Sequence, residues 1–91
     1  MSVEATIAIN SAAQMVAAAA RPVTDTHTLL RFLVHIEDHV KEINAALEAP
    51  GAALSGSYLD NLRAVIVLES ARLAVISAIE RRKPQETEAE L

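Results

Sequence analysis

The sequence predicts an all-α protein, and three observations support that prediction. The chain of 91 residues contains only two glycines and three prolines, so few positions interrupt regular structure. Hydrophobic residues make up 52% of the chain, but aromatic residues make up only 2%. The apolar residues recur at helical spacing and do not alternate as they would in strands. We therefore expect three helices dominated by a long antiparallel helical hairpin, in a dimeric helical bundle.

The first predicted helix covers about residues 3–20. Glu4 lies in its first turn, where a carboxylate interacts favourably with the helix dipole. Pro22 ends the helix, because the residue before a proline is disfavoured in the α conformation. Several alanines leave little side-chain bulk and permit close approach of another helix: Ala12, Ala13 and residues 17–20. Helix propensity alone explains the same alanines equally well.

The second predicted helix covers about residues 26–48. Thr24, Asp25 and Thr26 can each cap its first turn. Its main apolar residues are spaced alternately by four and three, which makes an unbroken heptad seam: Leu29, Leu33, Ile36, Val40, Ile43 and Leu47. Such a seam is typical of a straight helix that packs lengthwise against a neighbour. The Pro50-Gly51 pair ends this helix.

The third predicted helix covers about residues 57–82 and is apolar on nearly all sides. We expect one side of it to complete the core with the seam of the second helix, through Leu62, Ile66, Leu73 and Ile76. A helix that is apolar nearly all round is buried on most sides, and two other helices can hardly surround it. We therefore expect a homodimer with these contacts between chains: Leu30, Val34, Leu68 and Val75.

Residues 1–82 are thus expected to form a single helical domain. Residues 83–91 are charged and Pro84 disfavours a continuing helix, so we expect a disordered acidic tail there. The N-terminus lacks the positive charge of a signal peptide, and no stretch is long and apolar enough to span a bilayer. These features predict a cytoplasmic protein with no membrane partner. The formal net charge of −4 disfavours nucleic acid as a partner.

Three polar residues of the second helix are weak candidates for a metal site. His35, His39 and Glu42 follow an i, i+4, i+7 spacing and so share one helix side. Two or three such ligands on a solvated helix side are common by chance, and the chain has no cysteine. We therefore interpret them as a polar flank of the heptad seam, and expect neither a metal nor another cofactor.

Glu69 is a single carboxylate within an apolar side of the third helix. In an antiparallel hairpin it lies opposite Ile36, beside His39. We expect Glu69 to be partly buried and paired with His39, or with an arginine such as Arg72, because a buried unpaired carboxylate is costly. Such a pair can act as a pH-responsive latch or can simply fix the helix register, and we favour the second interpretation.

No arrangement of side chains typical of a catalytic site is visible, so we expect no enzyme. The favoured interpretation is a small protein–protein interaction module with a regulatory role, acting on another protein through apolar helix faces. An inhibitor, an anti-activator, an antitoxin or a chaperone-like protein would each fit. One alternative is a structural subunit of a larger helical assembly. Another is a metal-binding helical bundle that uses His35 and His39.

Overall fold

The computed structural model describes the backbone of residues 3–90 and the side chains of residues 3–83. This part of the chain contains three α-helices and no strand, as the sequence predicts. Helix α1 spans Val3–Ala19, α2 spans Thr26–Glu48 and α3 spans Tyr58–Glu90, with a short 3-10 helix at Ala52–Leu54. Helix α3 packs against both α1 and α2, whereas α1 and α2 touch each other much less. The two shorter helices therefore lie side by side along α3.

Helix α1 faces the core with a stripe of small side chains. Its buried residues are spaced alternately by three and four, and all but one are alanine: Ala5, Ala8, Ala12, Met15 and Ala19. Because an alanine projects little from the helix surface, a neighbouring helix can come close and still fill the space between the two backbones. The observed close packing supports the structural interpretation of the alanine-rich sequence.

Helix α2 uses the predicted heptad seam. Leu29, Ile36 and Ile43 are buried, and the alternate members of the seam pack against them with partial exposure: Leu33, Val40 and Leu47. Asp25 is the N-cap, and its carboxylate accepts a hydrogen bond of 2.7 Å from the backbone N–H of Thr28. The predicted seam and one of the three predicted caps are thus confirmed.

Helix α3 buries a different side from the one predicted. Its buried residues form what we call the inner seam: Asn61, Ala64, Leu68, Ala71, Val75 and Ala78. Three of the expected core residues are instead exposed: Leu62 by 37%, Ile66 by 68% and Leu73 by 67%. The fourth, Ile76, is half-buried. The inner seam faces α1 and α2 because its alanines match the small side chains of α1, whereas a row of leucines and isoleucines would hold α1 away.

Leu68 and Val75 therefore lie in the core of the single chain. Each is 0% exposed, and a side chain without exposed area has no surface to offer to a second chain in this fold. The prediction that these two residues contact another subunit is corrected accordingly. Leu30 and Val34 are exposed on α2, so their predicted contact with a partner stays a prediction.

The backbone of α3 remains helical through Pro84 to Glu90, whereas the sequence predicts an end near residue 82 and disorder beyond it. A proline inside a helix removes one hydrogen bond but does not always end the helix. The residues that follow are mostly good helix formers, which favours continuation. Met1, Ser2 and Leu91 lie outside the described residues.

Arg82 ties α3 to the connection between α1 and α2. Its guanidinium donates three hydrogen bonds to backbone carbonyls: Nε to Thr24 at 2.9 Å, Nη1 to Ala78 at 2.9 Å and Nη2 to Arg21 at 2.7 Å. The Thr24 hydroxyl in turn donates to the carbonyl of Ala18 at 2.6 Å. One planar side chain thus satisfies carbonyls of two elements that are distant in sequence.

The substitution Arg82→Ala should lower the free energy of unfolding by about 1–3 kcal/mol, because the charged donor to these carbonyls is lost. Arg82→Lys should recover little, since one ammonium group cannot reproduce the planar arrangement of donors. Chemical denaturation monitored by circular dichroism measures the change. The exposed neighbour Arg81 is the control, and Arg81→Ala should stay within about 0.5 kcal/mol of the unsubstituted chain. Equal effects at both positions would contradict the role given to Arg82.

The substitution Ala12→Leu should destabilise the chain by about 1–3 kcal/mol, because the added atoms force α1 away from α3. Ala12 is 1% exposed. Its neighbour Ala13 is exposed, and Ala13→Leu is the matched control with the same added volume. Thermal melts of both variants separate overpacking from a change in helix propensity. A stable Ala12→Leu protein would show that the two helices are not in close contact there.

The cap at Asp25 should make stability depend on pH. Hydrogen bonds from the side chain and the backbone N–H of Thr28 lower the pKa of the Asp25 carboxyl from its usual 3.8. The charged form is therefore favoured in the folded state, and its contribution is present above pH 3.8 and lost as the pH falls through the lowered value. Asp25→Ala should lower the melting temperature at pH 7, and the difference from the unsubstituted chain should shrink in acid. Asp25→Asn keeps an acceptor that does not titrate, so its cap should persist at both pH values.

Candidate interaction surface

The exposed side of α3 carries a second heptad pattern, which we call the outer seam. Its members are spaced alternately by three and four over more than five turns: Leu59, Leu62, Ile66, Glu69, Leu73, Ile76 and Glu80. Residues two apart on an α-helix are separated by about 200°. Leu73 and Val75 therefore lie on roughly opposite sides of α3, and the outer seam points away from the inner one. Helix α3 carries two seams, of which the chain itself covers one.

Large apolar side chains dominate the outer seam. Leu59, Ile66 and Leu73 are each about two-thirds exposed, and Leu62 is exposed to a smaller extent. Single exposed leucines are normal on a protein surface. A row of them at heptad spacing on one helix is the arrangement that packs against another helix. This surface therefore has the chemistry of a contact between helices.

Glu69 is the polar residue in the middle of the outer seam, and it is not buried. Its side chain is 48% exposed, and its Oε1 lies 3.6 Å from Nη2 of Arg72, one turn further along α3. The expected partner Arg72 is thus observed, and the side chain is about half exposed because Glu69 lies on the side of α3 that faces away from the core. A salt bridge this exposed contributes little, from about 0 to 1 kcal/mol.

His39 is half-buried on α2, and the structure does not give it the role of a buried partner to Glu69. His35 and Glu42 are exposed. Within the described part of the chain, no group of three or more histidine, cysteine, aspartate or glutamate side chains comes together in a way that could hold a metal ion. The interpretation of His35, His39 and Glu42 as a polar flank stays a prediction.

A shallow groove runs between α1 and α3. It has a volume of about 440 Å³, and its lining is small and uncharged: Ala12, Ala13, Val16, Ala17, Val67, Ser70, Ala71 and Ala74. Ser70 lies four residues after Ile66 and three before Leu73, so the groove borders the outer seam. No titratable group lines it, and its chemistry suits an apolar side chain better than a polar substrate.

The sequence shows that α3 is apolar all round, but the prediction placed residues of the outer seam in the core and residues of the inner seam in the contact between chains. The signal that distinguishes them is side-chain volume. The inner seam repeats a small residue every seven positions, at Ala64, Ala71 and Ala78, which matches the alanine stripe of α1. The outer seam carries the larger side chains, which would be misplaced against that stripe.

Comparison of the chain with protein-family models, curated proteins and solved structures finds no match. Among the residues that the structure describes, no helix combines the length and apolar character needed to cross a bilayer.

Proposed function

We propose that this chain is a non-catalytic protein–protein interaction module that works as a homodimer, with the outer seam of α3 as the contact between the two copies. The observation that carries this proposal is the heptad row of exposed Leu59, Leu62, Ile66 and Leu73. The row extends over roughly 21 Å at 1.5 Å per residue. A surface of that length and pattern is suited to a partner helix with the same spacing.

A second copy supplies such a helix. A domain of this size buries a smaller fraction of its surface than larger domains do, and association is one of the usual ways to add buried apolar area. Disulfides, another of those ways, require cysteine, which this chain lacks. In the proposed dimer each subunit contributes an α2–α3 antiparallel hairpin, and the two α3 helices lie in the middle. Helices α1 and α2 pack on the other side of α3 and leave the outer seam accessible.

The dimer would act on another protein in the cytoplasm through the apolar surface that remains. The α1–α3 groove and the exposed Leu30 and Val34 are the surfaces that support this step. A regulatory role by contact, as in an inhibitor, an anti-activator, an antitoxin or a chaperone-like protein, needs no catalytic group. The net charge of −4 favours a partner with a basic surface.

A structural subunit of a larger helical assembly is the second candidate. Its support is the elongated shape of the chain, with extents of 57 × 19 × 14 Å, and the continuation of α3 past Arg82, which binds the α1–α2 connection. The two candidates differ in stoichiometry, because the first expects a closed dimer and the second expects higher oligomers. The metal-binding alternative has no assembled ligand group among the described residues.

The substitution Leu73→Asp should convert the dimer into a monomer. A carboxylate placed in an apolar layer must be desolvated, and the two-fold symmetry places it there twice, so the dissociation constant should rise by more than about 100-fold. Light scattering after size exclusion, over a dilution series, measures the mass. Because Leu73 is 67% exposed in the single chain, the helical content should not change.

Val23→Asp is the matched control, since Val23 is 87% exposed and lies outside α3. It should leave the dimer intact. An unsubstituted chain that remains monomeric at all concentrations would overturn the homodimer. A Leu73→Asp protein that dimerises like the unsubstituted chain would show that the outer seam is not the contact.

A further inference from the structure

We infer that the two copies pair in an antiparallel orientation, centred between Ile66 and Glu69, and that Glu69 is the residue that determines this orientation. The inference rests on the proposed function and assigns the direction and register of the same contact. It follows from the order of residues along the outer seam, from the exposure of Glu69 and from its ion pair with Arg72.

Antiparallel pairing centred there gives every large apolar residue of the outer seam except Ile66 an apolar neighbour. In an antiparallel pair, each layer consists of one residue from each copy, and a step forward along one helix is a step backward along the other. This register therefore places Leu59 beside Ile76 of the second copy. In the same way, Leu62 meets Leu73 of the second copy, and symmetry repeats both layers. The two central layers each place Ile66 beside Glu69. The residues that pack best thus lie at both ends, and the carboxylates lie in the middle.

The two neighbouring antiparallel registers, each shifted by one heptad, are less favourable. One pairs Leu62 with Ile66, but it places Leu59 beside Glu69 and leaves Leu73 beyond the start of the partner helix. The other keeps an apolar pair between Ile66 and Ile76, but it places Leu62 beside Glu80 and Leu73 beside Glu69. Burial of leucine against a carboxylate removes solvent from the charge without providing a partner for it. Compared with the register centred between Ile66 and Glu69, fewer layers pair two apolar residues, and more carboxylates lie against leucine.

Charge disfavours parallel pairing. In a parallel dimer identical residues share a layer, so Glu69 meets Glu69 of the second copy and Glu80 meets Glu80. Like charges facing each other at a seam are destabilising. In the antiparallel register the two Glu69 residues fall in adjacent layers, about 4.5 Å apart along the helix axis. Each keeps its own Arg72, whose Nη2 lies 3.6 Å from the carboxylate in the single chain.

Glu69 therefore has the role that a single polar residue has in many paired helices. It weakens the contact and at the same time disfavours other orientations. A carboxylate that is exposed in the single chain and close to the two-fold axis in the dimer fits this role. Replacement of Glu69 by leucine should thus strengthen the contact and remove its selectivity.

Disulfide trapping tests the orientation, and the absence of native cysteine makes the readout unambiguous. The double variant Leu62→Cys/Leu73→Cys should form covalent dimers under mild oxidation, because the two positions share a layer. Leu62→Cys alone should not, since the two copies of residue 62 then lie about 16 Å apart along the axis. The pair Ile66→Cys/Ile76→Cys reports the shifted register. All of these positions are at least partly exposed in the single chain, so the fold should persist.

The Glu69→Leu background completes the test. Glu69→Leu should lower the dissociation constant by about tenfold and should allow Leu62→Cys alone to form a disulfide, because the parallel orientation is then penalised only by Glu80 at the end of the seam. Crosslinking of Leu62→Cys alone in the otherwise native chain would overturn the inference and leave the proposed homodimer standing. Efficient trapping only through Ile66→Cys/Ile76→Cys would overturn the register. A chain that is monomeric in light scattering would overturn both proposals.

Discussion

The close contact between α1 and α3 is the constraint on which the rest of the structure depends. Alanines on α1, such as Ala8 and Ala12, meet a side of α3 that repeats alanine every seven residues. Small side chains on both helices allow the backbones to approach, and a larger residue on either helix would separate them. Once α3 turns its small residues inward, its larger leucines and isoleucines face outward. The exposed apolar row is thus a consequence of how the core is packed.

Much of the fold could be predicted from the sequence, because it depends on spacing and on breakers. The seam of α2, its cap at Asp25 and its end near Pro50 all follow from such local signals. The orientation of α3 could not be predicted in this way, since the inner and outer seams have the same heptad spacing. Ranking by hydrophobicity favours Ile66 and Leu73 over Ala64 and Ala71 as core residues. The structure makes the opposite choice, because complementary volume with α1 outweighs the larger transfer free energy of each side chain.

The candidate site was harder to predict than the fold. The polar residues that attract attention in the sequence, His35, His39 and Glu42, share one side of α2 but form no ligand group among the described residues. The surface with the most distinctive pattern contains almost no polar chemistry, and it can be recognised only after the inner seam is known. Glu69 illustrates the difference, because a carboxylate flanked by apolar residues suggests a buried pair when the helix side is unknown. On an exposed seam the same residue pairs with Arg72 on its own helix, and in the proposed dimer it determines the orientation of the two copies.

The two seams of α3 also constrain how the length of this helix can change. An insertion or deletion of two residues turns the following part of α3 by about 200°, which presents Leu73 to the core and Val75 to solvent. The leucines and isoleucines would then meet the alanine stripe of α1, where they do not fit. A change of seven residues turns the helix by only about 20° and preserves both seams. Helix α3 should therefore tolerate substitution on its surface far better than a change in length, except by whole heptads.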